Sequence, residues 1–265
     1  MKVISVINLK GGVSKTTTAQ NMAYILATHY NKRVLVLDND KQGNISKAFG
    51  VYDADSNQGV HRIMTEIGIG ARVCEVIMPT KYENIQVIPT NMQLLNANRA
   101  VLLDCTRPQQ TRFKSALMNE QLAAVYDYLI IDNAPDINVS IINALAITDD
   151  VIIPIVIDDY SLDGMNILID TIKDVKGNEG DEYRLNAKIN FCGCLITNYQ
   201  RCAVEKSAID EIRSSVKTFD TIIRHTNGKV QESTFEHIPV AEHSARCGAS
   251  QDYRKFIREY LGEEA

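Results

Sequence analysis

The sequence predicts an α/β fold, a single domain built on one mainly parallel, twisted sheet with helices on both faces. Short apolar, β-branched runs recur at 3–7, 34–37, 85–88, 128–131, 151–157 and 189–196, with a weaker one at 221–223. Between most of them the apolar residues take helical spacing, at 17–29, 91–104, 110–124, 139–146, 161–175 and 204–216. Strands that are apolar throughout belong to sheets covered on both sides, and their alternation with helices argues for parallel crossovers. Polar clusters at 8–17, 38–44 and 132–138 follow the first, second and fourth runs, where the carboxyl ends of parallel strands present ligand-binding loops. With 265 residues and 45% hydrophobic content the chain can bury a sizeable core. No repeat, low-complexity tract or long linker divides it, so one domain over 1–265 is expected.

Composition narrows the function classes. Lys+Arg of 28 against Asp+Glu of 33 gives a net charge of -5, so the chain as a whole does not advertise affinity for a polyanion and any nucleic-acid contact must come from a local patch. The cysteines at 74, 105, 192, 194, 202 and 247 are scattered, and Cys192-Gly193-Cys194 lacks zinc spacing, so reduced, mostly buried thiols are expected. No stretch reaches the roughly 18 apolar residues of a membrane span. The opening MKVISVIN runs into a glycine-rich loop with no small-residue cleavage site, and a cytoplasmic location is expected.

The first run leads into KGGVSKTT, residues 10–17. Aligned on Lys15, the phosphate-loop pattern Gly-x-x-x-x-Gly-Lys-Ser/Thr finds Leu9 at its first glycine and Ser14 at its second. The physical demand is narrower than the pattern: consecutive backbone N–H groups must curl round phosphates and run into a helix N-terminus. Gly11 and Gly12 supply permissive backbone, Val13, Ser14 and Thr17 continue the amide ring, Lys15 brings an ammonium, and Thr16 a hydroxyl for Mg²⁺. If φ at Ser14 is positive, the strain is on the order of 1 kcal/mol.

The second run ends in VLVLDNDKQGN and the fourth in YDYLIIDNAPD. Asp38 and Asp40 alternate onto one side of an extended chain, while Asp132 at a strand tip is a Walker B-like carboxylate suited to Mg²⁺. In the last helix Tyr253, Phe256, Ile257, Tyr260 and Leu261 form a stripe flanked by Arg254, Lys255 and Arg258. Such a stripe suits either a membrane surface or docking on the chain's own core. Docking is expected, since Glu259, Glu263 and Glu264 would be repelled by anionic lipid.

Lys10 followed by Gly-Gly-Val-x-Lys-Thr-Thr resembles the deviant Walker A motif of the ParA/MinD group of ATPases, a branch of the P-loop NTPases. The resemblance implies ATP and Mg²⁺ as ligands and an ATP-bound sandwich homodimer in which Lys10 reaches the partner's phosphates while Lys15 serves its own subunit. In the family the position of Ser14 is usually glycine. The 38–44 stretch is similar to the family's Asp-x-Asp-Pro-Gln-Gly-Asn, with Lys41 at the usual proline. By that match Asp40 orients or activates the attacking water, and Asp38, with Thr16 and Asp132, serves the Mg²⁺ site. Asp132-Asn133-Ala134-Pro135 fits the family's Asp-x-x-Pro. Asn133 stands where the related nitrogenase iron protein carries a cluster-ligating cysteine, so no iron–sulfur ligation is expected.

LITNYQR resembles the strand and loop beside the base, which implies a contact from Asn198. ATP rather than GTP rests on the family, the Asn-Lys-x-Asp of guanine sites being absent. The Gly-Ala-x-x-Asp-Tyr tail from Gly248 to Tyr253 matches the ParA branch better than MinD. That branch implies non-specific double-stranded DNA as a partner of the ATP dimer, a centromere-binding, ParB-like partner protein, slow partner-stimulated hydrolysis, nucleoid association and no membrane. By position Arg201 and Arg224 match arginines used on DNA, although residues 201–265 hold 10 Lys+Arg against 11 Asp+Glu. The alternatives are a MinD-like membrane-cycling ATPase and a nucleotide-binding switch without useful hydrolysis.

Overall fold

The computed structural model describes residues 1–157, 161–182, 184–200, 203–226 and 228–263. Its strands are β1 (Lys2–Val6), β2 (Val34–Asn39), β3 (Met78–Pro79), β4 (Ile85–Ile88), β5 (Tyr128–Asn133), β6 (Asp150–Ile155) and β7 (Asn190–Ile196). They form one sheet in the order β3-β4-β2-β5-β1-β6-β7. Every pairing is parallel except β3 with β4. The six apolar runs thus account for the parallel strands. The weaker run at 221–223 forms no strand, but lies along β7, where Ile223 N donates to Ile196 O at 2.8 Å and Phe219 N to Cys194 O at 2.9 Å.

The helices are α1 (Lys15–His29), α2 (Asn44–Ala48), α3 (Val60–Thr65), α4 (Gln93–Leu103), α5 (Arg112–Leu117), α6 (Glu120–Val125), α7 (Val139–Ile147), α8 (Ser161–Lys176), α9 (Ala203–Ser215), α10 (Lys229–Phe235), α11 (Val240–His243) and α12 (Gly248–Leu261). The expected helix at 110–124 is broken into a 3-10 turn at Gln109–Thr111, then α5 and α6. Met118 leaves helical geometry and the Asn119 side chain accepts from Leu122 N at 2.9 Å, which starts a new helix instead of continuing the old one.

Alternation along the strands sorts the core. Val34, Val36 and Ile130 pack with Ala19, Met22, Tyr253 and Phe256, under α1 and α12. Leu35, Leu37, Leu129 and Ile131 face the other way, onto Val60, Leu94, Phe113 and Ala144. A third cluster joins Val151 and Ile153 to Leu168 and Ile209, under α8 and α9. The stripe of α12 is docked as expected: Tyr253, Phe256 and Ile257 are buried, and Tyr260 and Leu261 pack against the same cluster. No described helix is long and apolar enough to cross a membrane. The cysteine expectation needs correction. Cys74 and Cys105 are exposed, Cys192 and Cys247 half-buried, and of the free thiols described only Cys194 is buried; Cys202 lies outside the described residues.

Candidate active site

Loop 8–14 is tied to β6 and to the end of β7. Asn8 donates through Nδ2 to Pro154 O at 2.7 Å and accepts from Lys10 N at 2.9 Å, and Thr197 Oγ1 at the end of β7 donates to Val13 O at 3.3 Å. Gly12 and Ser14 both adopt left-handed backbone, φ 76° and 64°; Gly11 does not. A side chain placed at Gly11 or Gly12 would meet nothing within 4 Å, so the loop's amides border open space. Ser14 is the N-cap of α1 without a side-chain cap bond. Its strained conformation costs about 1 kcal/mol. Lys15 is 8% exposed and its Nζ donates to Lys10 O at 2.8 Å. Burial lowers its pKa, opposed by the charges of Asp132, Asp40 and Asp136.

Strand period brings the acids to this loop. Asp38 and Asp132 are register partners across β2 and β5, and their parity is that of Val36 and Ile130, the α1 side of the sheet. Thr16 Oγ1 donates to Asp132 Oδ2 at 2.7 Å. The other oxygen of Asp132, Oδ1, is buried with no hydrogen-bond partner. Asp38 accepts from Asp40 N at 3.2 Å, Ser46 N at 2.9 Å and Ser46 Oγ at 2.5 Å. Burial pushes the Asp38 carboxyl up to about 7 against those donors. Burial, then the charge of Asp38, raises Asp132 well above the ordinary carboxylate range. Two buried acids and an orphaned oxygen next to a threonine hydroxyl form an oxygen donor set that fits a hard divalent cation. Among the described residues no group of three or more His, Cys, Asp or Glu is placed to hold a metal ion.

A cavity of about 420 Å³ lies over these groups, lined among others by Gly11, Gly12, Lys15, Thr16, Thr17 and Asp40. Asp40 Oδ1 accepts from Gln42 N at 3.0 Å, holding the turn behind it. Lys41 stands 3.9 Å from Asp136, an ion pair joining the two acidic loops. On the far side of the strands Asn39 Nδ2 donates to Asn133 Oδ1 at 2.9 Å, so Asn133 serves an amide ladder beneath the site.

A second cleft, of about 390 Å³, shares Gly12 and Ser14 with the first and includes Asn198, Arg224, His225 and Phe235. Asn198, at φ 57°, meets His225 Nδ1 through Oδ1 at 2.7 Å. Arg224 is half-exposed and bidentate on Asp252, with both guanidinium bonds at 2.8 Å. A side chain at Gly248 would come within 3.3 Å of that guanidinium. The tail residues Gly248, Asp252 and Tyr253 therefore admit Arg224, pair it, and close the cleft. Arg201 lies outside the described residues. Sequence reasoning misses His225 and Phe235, because an isolated histidine or phenylalanine carries no spacing signal. The clustering at one strand end was legible for the acids and the phosphate loop, and not for this cleft.

Known proteins bear on this arrangement. A family described as an AAA domain matches residues 1–190. The sporulation initiation inhibitor protein Soj of Bacillus subtilis (strain 168) is 33% identical over 261 residues, 97% of each chain. The chromosome partitioning protein ParA of Caulobacter vibrioides (strain NA1000 / CB15N) is 29% identical over 267 residues, 100% of this chain and 95% of the relative. Among solved structures, cobyrinic acid a,c-diamide synthase from Mycobacterium smegmatis, with bound ATP analogue and magnesium, superposes with a TM-score of 0.80 at 25% identity, covering 98% of this chain and 94% of that one. With a deviant Walker A loop, two acidic strand tips beside it and full-length similarity to Soj, the chain belongs to the ParA/Soj branch of the ParA/MinD P-loop ATPases.

Proposed function

We propose that this chain, acting as one unit over 1–265, is a Mg²⁺-dependent ATPase of the partition type. In this reading it works as an ATP-bound sandwich dimer in the cytoplasm, binds DNA without sequence preference, and drives segregation of a plasmid or chromosome. The observation that carries the reading is the orphaned, buried Oδ1 of Asp132 next to the Thr16 hydroxyl, under a loop of open amides.

In this mechanism the amides of residues 11–17 and the Lys15 ammonium bind the phosphates, which requires Lys15 to leave Lys10 O. Lys10 of one subunit acts on the partner's phosphates. Thr16 and Asp132, supported by Asp38, would hold Mg²⁺, which would supply charge neutralisation to the phosphates when bound. Asp40 orients the attacking water, and Asn198 contacts the nucleoside. Phosphoryl transfer depends on such positioning and electrostatics more than on a strong base. Turnover in this reading is slow, and a DNA-bound, ParB-like centromere-binding protein raises it. Nucleotide is thereby the ligand that shifts a monomer–dimer population. Arg201 and Arg224 contribute the DNA contacts on the dimer, which becomes nucleoid-associated.

Gel retardation of random duplex DNA with ATP, ADP or no nucleotide, alongside liposome co-sedimentation, tests the reading. A shift with ATP alone is expected. Pelleting with lipid and no shift would transfer the chain to the membrane-cycling branch.

A further inference from the structure

Helix α10 buries little of itself. Of its residues Lys229–Phe235 only Ser233 is buried, and Phe235 is 86% exposed, more than any other large apolar side chain described. Val230, Gln231, Thr234 and Phe235 are spaced to share one helix face, and that face lines the cleft that also contains Gly12, Ser14, Asn198 and His225. The helix is held by peripheral contacts: Ile238 N donates to Ser233 O at 3.0 Å, and His243 stands 3.8 Å from Glu232 and 3.6 Å from Glu236. A flat apolar ring kept in water at the mouth of a cleft forgoes burial that a planar ligand would restore. The cleft abuts the phosphate loop, and its polar edge is the Asn198–His225 pair.

We propose that Phe235 stacks on the base of the nucleotide whose phosphates residues 10–17 hold, so that the face of α10 sets affinity for the nucleoside half of the ligand. The inference rests on the ATPase reading above and assigns a residue that reading does not use. Base–aromatic stacking gains binding through the π-face and leaves phosphate contacts alone. Because Phe235 is exposed, its truncation leaves the core intact.

Calorimetric titration of wild type, Phe235→Ala and Phe235→Trp with ATP and with inorganic tripolyphosphate tests this. Phe235→Ala should weaken ATP about tenfold, as loss of one stacked ring implies, and leave tripolyphosphate unchanged. Phe235→Trp should keep ATP affinity. Since the chain contains no tryptophan, the new side chain is a lone fluorophore, quenched by ATP and not by tripolyphosphate. Equal loss of both ligands in Phe235→Ala, no loss of either, or the same quenching by both would overturn the stacking. If wild type binds neither ligand, the ATPase reading falls first and the stacking with it.

Discussion

Ser14 holds a conformation that L-residues avoid, and it does so where the loop pattern places glycine. The turn forms all the same, because Ser14 O accepts from Thr18 N at 2.9 Å and bonds to β6 and to the end of β7 hold the loop. Ser14→Gly should therefore stabilise the nucleotide-free protein by about 1 kcal/mol, read from the urea midpoint at constant m-value. A lower midpoint would mean that the hydroxyl makes a contact worth more than the strain. Lys41 shows a second departure resolved locally: in place of a rigid proline the chain carries an ion pair to Asp136. Both groups are about a third exposed or more, so the pair contributes at most about 1 kcal/mol. Its effect is to tie together the two loops that bear Asp40 and Pro135.

Strands and long helices were legible because their periodicity is driven by burial on both sides of one sheet. Runs such as 34–37 and 128–131 can be placed nowhere else. The break at Asn119 was not, since a cap outcompetes helix continuation only when the flanking segments have separate surfaces to cover. Likewise 217–225 follows β7 through hydrogen bonds from Phe219 and Ile223, yet its apolar run at 221–223 is too short to form a strand of its own. The acids, Thr16 and Lys15 were legible by spacing. The second cleft was not, because it joins the end of β7, segment 221–225, α10 and α12. Arg224 belongs to that junction, where Asp252 fixes its guanidinium half-exposed. If it serves DNA, Arg224→Ala should weaken ATP-dependent retention of random duplex several-fold and reduce the salt slope by about one, with ATP affinity unchanged. Intact retention with weakened ATP binding would assign the arginine to the nucleotide cleft instead.

At the scale of the molecule, a net charge of -5 means that any DNA-binding face must be a local patch of positive groups, which the proposed dimer would pool from two subunits. In that proposal dimer lifetime controls DNA residence. Asp40→Ala removes the residue assigned to the water while leaving Lys15, Thr16 and Asp132 in place. It should bind ATP normally, lose hydrolysis by at least about tenfold, and persist as a dimer by light scattering after excess ATP is removed. Full ATPase activity in this variant would strip Asp40 of its role.

The margins of the sheet set a limit on such assembly. On one side β3 is two residues long, antiparallel and carries Pro79; on the other, segment 217–225 bonds to Cys194 and Ile196 of β7. At both borders the ladder of outward amides and carbonyls is interrupted. Such interruptions work against strand exchange and sheet-to-sheet annealing between folded copies, and favour contacts through loops and helix surfaces in any higher-order assembly.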